Sequence, residues 1–199
     1  MTVYDNAREL ESNLPTFLTQ EVETGYEVIV VDESSTDDTD DVLKRFKQSH
    51  PYLYTTFLPK PDHNVVRRRL ALTIGVKAAK NEWIILSDIQ AVPNTEDWLK
   101  EVSDAIGGST RAMVGYFRKK GLLLETFDDI GQTRQVISKA ERKKAYGHRG
   151  KRLKYLRGKY DFIAVRREDA HDILKYFEQS ISLRRLLGLR LSIACHNLF

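Results

Sequence analysis

One segment, Glu27-Val-Ile-Val-Val-Asp-Glu-Ser-Ser-Thr-Asp-Asp-Thr39, constrains this chain more than any other. An apolar, β-branched run stops at Asp32 and Glu33, and a cluster of Ser, Thr and Asp then leads into a helix-like stretch. Continuous apolar runs of this kind read as strands buried on both faces of a parallel sheet. In open α/β sheets, ligands bind beyond the carboxyl ends of such strands. The same grammar returns at Glu82-Trp-Ile-Ile-Leu-Ser-Asp-Ile-Gln90, apolar up to Asp88. Two core strands that both end in acids predict a site for a nucleotide and a metal ion.

The rest of the first half alternates in the same manner. Leu10, Leu14, Phe17 and Leu18 recur at helical spacing within Asn6–Gln20, where Pro15 predicts a kink or an early turn. Tyr26–Val31 reads as a strand. Ser35 or Thr36 is the expected N-cap of a helix reaching Gln48, with Asp37, Asp38, Asp40 and Asp41 at its positive end. Strands follow at Leu53–Leu58, Trp83–Ser87 and Ala112–Phe117, and helices at Val65–Ala79 and Thr95–Ile106. Strands alternating with helices imply an α/β fold with covering helices. Beyond it, Leu122–Lys144 reads as largely helical and Gly147–Gly158 as a basic loop. Phe162–Val165 reads as a short strand and Arg167–Gln179 as a helix. The 199 residues suffice for one domain with a sizeable core, in which the pattern changes between a first part, 1–110, and a second, 111–199.

Composition narrows the class. Apolar residues make up 41% and charged residues 30%, which fits a soluble globular protein rather than a fibrous or disordered one. The single Cys195 excludes an intrachain disulfide and fits a reducing compartment. No run approaches the ~18–20 apolar residues that span a bilayer, and no signal peptide is visible at Met1. The expected location is cytoplasmic, extending to the inner face of a membrane.

Val30-Val31-Asp32-Glu33-Ser34-Ser35-Thr36-Asp37-Asp38-Thr39 resembles the Val-Val-Asp-Asp-x-Ser-Thr-Asp-x-Thr segment of family 2 glycosyltransferases. Ser87-Asp88-Ile89-Gln90, followed by Pro93 and Asp97-Trp98-Leu99, is similar to that family's second landmark, a strand ending in Asp-x-Asp. The resemblance spans residues 2–100. It implies the GT-A fold, a Rossmann-like, mostly parallel sheet flanked by helices. It also implies an enzyme that moves a sugar, with inversion, from a nucleotide-diphosphate donor to a glycan or lipid-linked acceptor, with 1–110 as the nucleotide-sugar-binding half and 111–199 as the acceptor-side half. The family opens with an apolar strand ahead of a Pro-x-Tyr-Asn type segment, and Thr2-Val3-Tyr4-Asp5-Asn6 matches only the end of that segment. Two expectations follow: a chain truncated ahead of Met1, or one in which Met1–Tyr4 supplies a stub.

The resemblance places Asp32, Glu33 and Tyr4 against the nucleoside, and Arg68 and Arg69, in the helix start after Arg67, near the diphosphate. Positive charge at a helix N-terminus suits an anion, although a solvated basic face explains the arginines equally well. Asp88 and Gln90 correspond to the family's ligands for a divalent cation, Mg²⁺ or Mn²⁺, which prefers oxygen donors and bridges phosphates. Residues i and i+2 of a strand share a side, so both positions can face one ion. Gln90 brings an oxygen but no charge, which predicts weaker metal binding. The bland alternative for each acid is a turn or helix cap after a core strand.

The inverting reaction needs a carboxylate base, and the sequence does not identify it. Asp161 and Glu178 are the candidates; Glu168-Asp169 reads as a helix start, and Asp128-Asp129 as a surface pair. Net charge is +4, yet Lys139–Lys159 holds ten Lys and Arg against one Glu. That segment, with Tyr146, Tyr155 and Tyr160 interleaved and Gly147, Gly150 and Gly158 for closure, fits a phosphate or an anionic lipid acceptor, or else a solvated face. Nucleic acid is not the expected partner, because no RRM, KH or helix-turn-helix signature accompanies it. Ser182–Leu191 mixes apolar and basic residues, as a packed terminal helix or a peripheral membrane contact would. The histidines show no metal spacing. Two other readings remain: a degenerate member that binds nucleotide or glycan without turnover, and a basic module for nucleic acid or an anionic membrane.

Overall fold

The computed structural model describes residues 1–59, 67–108, 110–118, 121–128, 133–136 and 160–176. Three parallel strands form the first sheet: β1 (Thr2–Val3), β2 (Val28–Asp32) and β3 (Leu53–Phe57), in the order β1-β2-β3. β2 is apolar on both faces because helices cover it, and Val30 and Val31 are fully buried. β1 is the expected stub. Thr2 and Val3 pair with Val31 and Asp32, and the ladder continues one residue further, with Val31 N donating to Met1 O at 3.1 Å and Met1 N to Ile29 O at 2.9 Å.

Among the described residues the second sheet has five strands: β4 (Trp83–Ser87), β5 (Thr110–Arg118), β6 (Gly121–Asp128), β7 (Thr133–Val136) and β8 (Phe162–Arg166). Their order is β4-β8-β5-β6-β7, and every pairing is antiparallel. The expectation of a largely helical Leu122–Lys144 is therefore corrected wherever that stretch is described. Leu122, Leu124, Met113, Phe162 and Ala164 enter one core, whereas Leu123, Phe127, Val114, Ile163 and Val165 enter another. That alternation has period two. A short apolar run buried on both faces hides it, and such a run cannot be told from a helix by pattern alone. Gly121, the first residue of β6, has φ +126°, a backbone conformation that a side chain would strain. The α/β class holds, with the parallel pairing confined to β1–β3 among the described residues.

Among the described residues five helices pack on these sheets: α1 (Ala7–Leu18), α2 (Thr39–Ser49), α3 (Arg67–Ala78), α4 (Trp98–Asp104) and α5 (Arg167–Tyr176). α1 runs through Pro15 and buries Leu10, Leu14, Phe17 and Leu18, the stripe its spacing predicts. α3 lies against β2, with Gly75 over Val31 and Ile29: a Cβ there would stand 3.4 Å from Val31 Cγ2, at van der Waals contact. α4 starts at Trp98, later than expected. Its indole is the hub of an aromatic cluster with Phe17, Phe117 and Phe162 at 5.3–6.3 Å.

Candidate functional site

The carboxyl ends of β1 and β2 are sewn together by short polar side chains. Asp32, 9% exposed, accepts at Oδ1 from Ser35 N at 2.9 Å and Ser35 Oγ at 2.6 Å. Asp5 N donates to Ser35 Oγ at 2.9 Å, and Thr36 N donates to Asp5 Oδ1 at 2.7 Å. Asn6 N donates to Thr39 Oγ1 at 3.1 Å and Ala7 N to Asp37 Oδ2 at 3.0 Å. Burial by itself would raise the Asp37 pKa; the bonds from the Thr39 hydroxyl, Ala7 N–H and Thr39 N–H outweigh it and hold the carboxyl below its ordinary value.

Ser35 and Thr36 are thus not helix caps, contrary to the sequence reading. Asp32 and Asp5 capture their groups first, and the helix begins at Thr39. Two non-glycine residues in these loops, Asp5 at φ 49° and Ser34 at φ 64°, take the left-handed region. Such backbone persists only where its surroundings over-determine it, and the network supplies that determination. Tyr4, half exposed, and Glu33, half buried, sit on these two loops, with Glu33 N donating to Val3 O at 2.8 Å. Both side chains have further interactions within the fold.

Asp88 follows the last residue of β4 and is partly exposed. Arg68, in the first turn of α3, pairs with it at 3.0 Å between Nη2 and Oδ2. The other carboxylate oxygen accepts Gln90 N–H at 3.1 Å, and Ala91 N donates to Asp88 O at 3.0 Å. β4 ends at Ser87, so residues 88–90 form a turn and the two-residue alternation of a strand does not reach them. Asn13 Nδ2 of α1 holds that turn through Ile89 O at 3.1 Å. α1 thereby links both acidic strand ends: its start is bonded to the Asp32 loop and its middle to the Asp88 turn. Arg69 is exposed on the same first turn of α3 and has its own interaction.

Asp161 immediately precedes β8, next to Phe162, which pairs with Ser87 at the end of β4. Asp161 Oδ2 accepts Phe117 N–H at 2.7 Å, and Asp161 N donates to Gly115 O at 2.9 Å. Its neighbours Tyr116 and Tyr160 have phenol pKa values raised chiefly by burial. Glu168 and Asp169 do begin a helix; Asp169 is 2% exposed and holds Arg111 through both oxygens at 3.0–3.1 Å. Glu178, Lys139–Lys159 and Ser182–Leu191 lie outside the described residues.

A divalent cation finds two oxygen-bearing side chains here, the Asp88 carboxylate and the Gln90 amide. Among the described residues no group of three or more His, Cys, Asp or Glu could hold a metal. That donor set is too small for an all-protein cage. It fits a hard cation that completes its shell with phosphate oxygens and water, the usual habit of Mg²⁺. The sequence reading missed two features. The Arg68–Asp88 pair joins residues twenty positions apart through tertiary structure, and the stitching of Asp5–Ala7 to Ser35–Thr39 shows in sequence only as a density of hydroxyls and acids.

Comparison with known proteins agrees with this architecture. The family model described as Glycosyl transferase family 2 matches residues 1–174, well past the first hundred. No curated protein matches the chain. Among solved structures, a mannosyltransferase from Pyrobaculum calidifontis, PcManGT, in complex with GDP-Man and Mn2+ is similar at 24% identity and a TM-score of 0.50, over 59% of this chain and 34% of that one. S. aureus TarS 1-349 is similar at 24% identity and a TM-score of 0.42, over 52% of this chain and 29% of that one. The chain spans about a third of the length of these structures.

Proposed function

The chain belongs to glycosyl transferase family 2, and from that premise we propose that it transfers a sugar, with inversion, from a nucleotide-diphosphate donor to a glycan or lipid-linked acceptor. Its fold is GT-A. The observation that carries the reading is the Arg68–Asp88 pair at the end of β4, linked through α1 to the stitched loops at the ends of β1 and β2. Opposite charges suited to a diphosphate and its counter-ion stand together where an α/β sheet offers its ligand site.

In this reading Tyr4, Asp32 and Glu33 receive the nucleoside. Arg68 and Arg69, at the start of α3, receive the diphosphate. Asp88 and Gln90 would hold Mg²⁺ or Mn²⁺, which when bound neutralises the leaving diphosphate; the mannosyltransferase of like fold carries GDP-Man and Mn2+. Asp161 is the base. It takes the acceptor hydroxyl proton as that oxygen attacks the sugar C1, and the C1–O bond to phosphate breaks with its electron pair leaving on the nucleoside diphosphate. The bond from Phe117 N fixes one carboxylate oxygen and so orients the other. Residues 1–110 serve the donor and the remainder the acceptor. In this reading a lipid-linked acceptor is met peripherally, at a cytoplasmic membrane face. Among the described residues no helix is long and apolar enough to cross a membrane.

A second reading, nucleotide binding without transfer, draws on Gln90, whose amide leaves the cation one charge short. Thermal stabilisation by GDP or UDP with Mn²⁺, abolished by Asp88→Ala, supports nucleotide binding; no stabilisation by either sinks both readings. Release of nucleoside diphosphate from GDP- or UDP-sugars separates transfer from binding alone.

A further inference from the structure

Asn13 sits in the middle of α1, between the buried residues Leu10 and Leu14, and is itself half-buried. Asparagine is a poor choice for a helix interior, because its amide competes with the backbone for hydrogen bonds. A half-buried amide beside an apolar stripe also needs partners. Asn13 has them: Ser12 Oγ stands 3.0 Å from its Oδ1, and its Nδ2 donates to Ile89 O at 3.1 Å, across 76 residues of sequence. Only the NH₂ end of the amide can face a carbonyl oxygen, so the contact with Ile89 fixes which way the side chain points.

The group it holds is the middle of a turn. Asp88 O accepts Ala91 N at 3.0 Å, the i to i+3 bond of a β-turn whose central residues are Ile89 and Gln90. Neither central residue has a positive φ, as in a type I turn, and acids favour the first position of that turn, where Asp88 stands. The peptide between the central residues is the part that rotates between type I and type II. Its carbonyl accepts from Asn13, and its N–H, on the opposite side of the same plane, donates to Asp88 Oδ1 at 3.1 Å. The Ile89 side chain, 1% exposed in the core cluster that holds Leu10 and Leu14, is a second anchor. Rotation of this peptide would withdraw the Gln90 N–H from Asp88. With Oδ1 engaged, Oδ2 is the oxygen turned to Arg68 and the first turn of α3.

We infer that Asn13 is a positioning residue for the Asp88 carboxylate, acting through the Ile89–Gln90 peptide: it keeps Oδ1 on the Gln90 N–H and so presents Oδ2 to the divalent cation. The inference rests on the assignment of Asp88 to the cation proposed above. Gln90 adds no charge, so the orientation of one carboxylate governs the site, and groups behind a ligand that orient it raise metal affinity.

Two variants of the full chain test it. Asn13→Leu keeps a branched shape without a donor, and Asn13→Ala removes the amide while improving helix propensity. Calorimetric titration with MnCl₂ should show both variants binding Mn²⁺ roughly 2- to 12-fold more weakly than the parent, the ratio that one neutral hydrogen bond is worth. Amide exchange followed by NMR gives a readout without any ligand. Gln90 and Ala91 N–H should exchange faster in both variants by a similar factor, whereas Ser35 and Thr36 N–H, held by Asp32 and Asp5 near the start of α1, should keep their parent rates. Equal acceleration at all these amides would reduce Asn13 to a general structural role and overturn the inference, as would parent-like Mn²⁺ affinity in both variants. A parent that binds no Mn²⁺ would remove the assignment of Asp88 to the cation and the inference with it; a parent that binds, matched by its variants, removes the inference alone.

Discussion

Replacing Arg68 by Gln should move two affinities in opposite directions. Arg68 Nη2 stands 3.0 Å from Asp88 Oδ2, and the two side chains are 55% and 40% exposed. An exposed pair of this kind is worth ~0.2–1 kcal/mol, the amount a cation must displace to take Asp88. Arg68→Gln removes that competitor and a like charge, so Mn²⁺ alone should bind roughly 1.4- to 5-fold more tightly, the same energy as a ratio. The nucleoside diphosphate loses a guanidinium partner, and a hydrogen bond to a charged group is worth ~1.5–3 kcal/mol. Its affinity at saturating Mn²⁺ should therefore fall by roughly 10- to 150-fold. Calorimetric titration reads both, with MnCl₂ into the free protein and then GDP or UDP into the Mn²⁺-loaded one. Weaker Mn²⁺ binding in Arg68→Gln, or no change in either constant, would refute the assignment of Asp88 to the cation and Arg68 to the phosphates.

Three further outcomes follow from the geometry. A Cβ at Gly115 would lie 2.0 Å from Phe162 Cζ, and that ring is 1% exposed; Gly115→Ala should cost ~3 kcal/mol, the upper end of overpacking penalties, and a urea midpoint within error of the parent would contradict it. Asp161→Asn should lower kcat by ~10²–10⁴-fold, the scale of general-base catalysis, while the nucleotide Kd stays put; an unchanged kcat removes Asp161 from the reaction. Asp37 has a folded pKa held below its unfolded value, so its stabilisation is present above the ordinary carboxylate pKa of ~3.9 and is lost as pH falls through the lower folded value. Parent and Asp37→Asn should therefore differ in denaturant midpoint at neutral pH and converge in acid; a gap that widens in acid would show the sign to be wrong.

The parts of this molecule legible in its sequence are those written locally. The strand Val28–Asp32 and the stripe of α1 announce themselves because burial on two faces, or on one helical face, leaves a pattern within a dozen residues. The antiparallel sheet was not legible in the same way. Leu122-Leu123-Leu124 is buried on both sides by two different cores, which erases the alternation that would identify a strand. Helix starts were placed too early at Ser35 and Thr95 for a related reason: a residue able to cap can equally serve a neighbouring loop, as Ser35 serves Asp32 and Asp5. At the candidate site the sequence named Asp32 and Asp88 as strand-end acids, but the pairing of Asp88 with Arg68 exists only once α3 is laid beside β4.

The two tryptophans of this chain, Trp83 and Trp98, both border a cavity between β2 and β4. One indole carries Arg166 over its ring at 5.6 Å, and the other is packed among Phe17, Phe117 and Phe162. Intrinsic ultraviolet emission from this protein is consequently a local gauge of that space rather than an average over the whole molecule. Whatever enters or leaves it registers in the spectrum without a dye, a label or a further substitution.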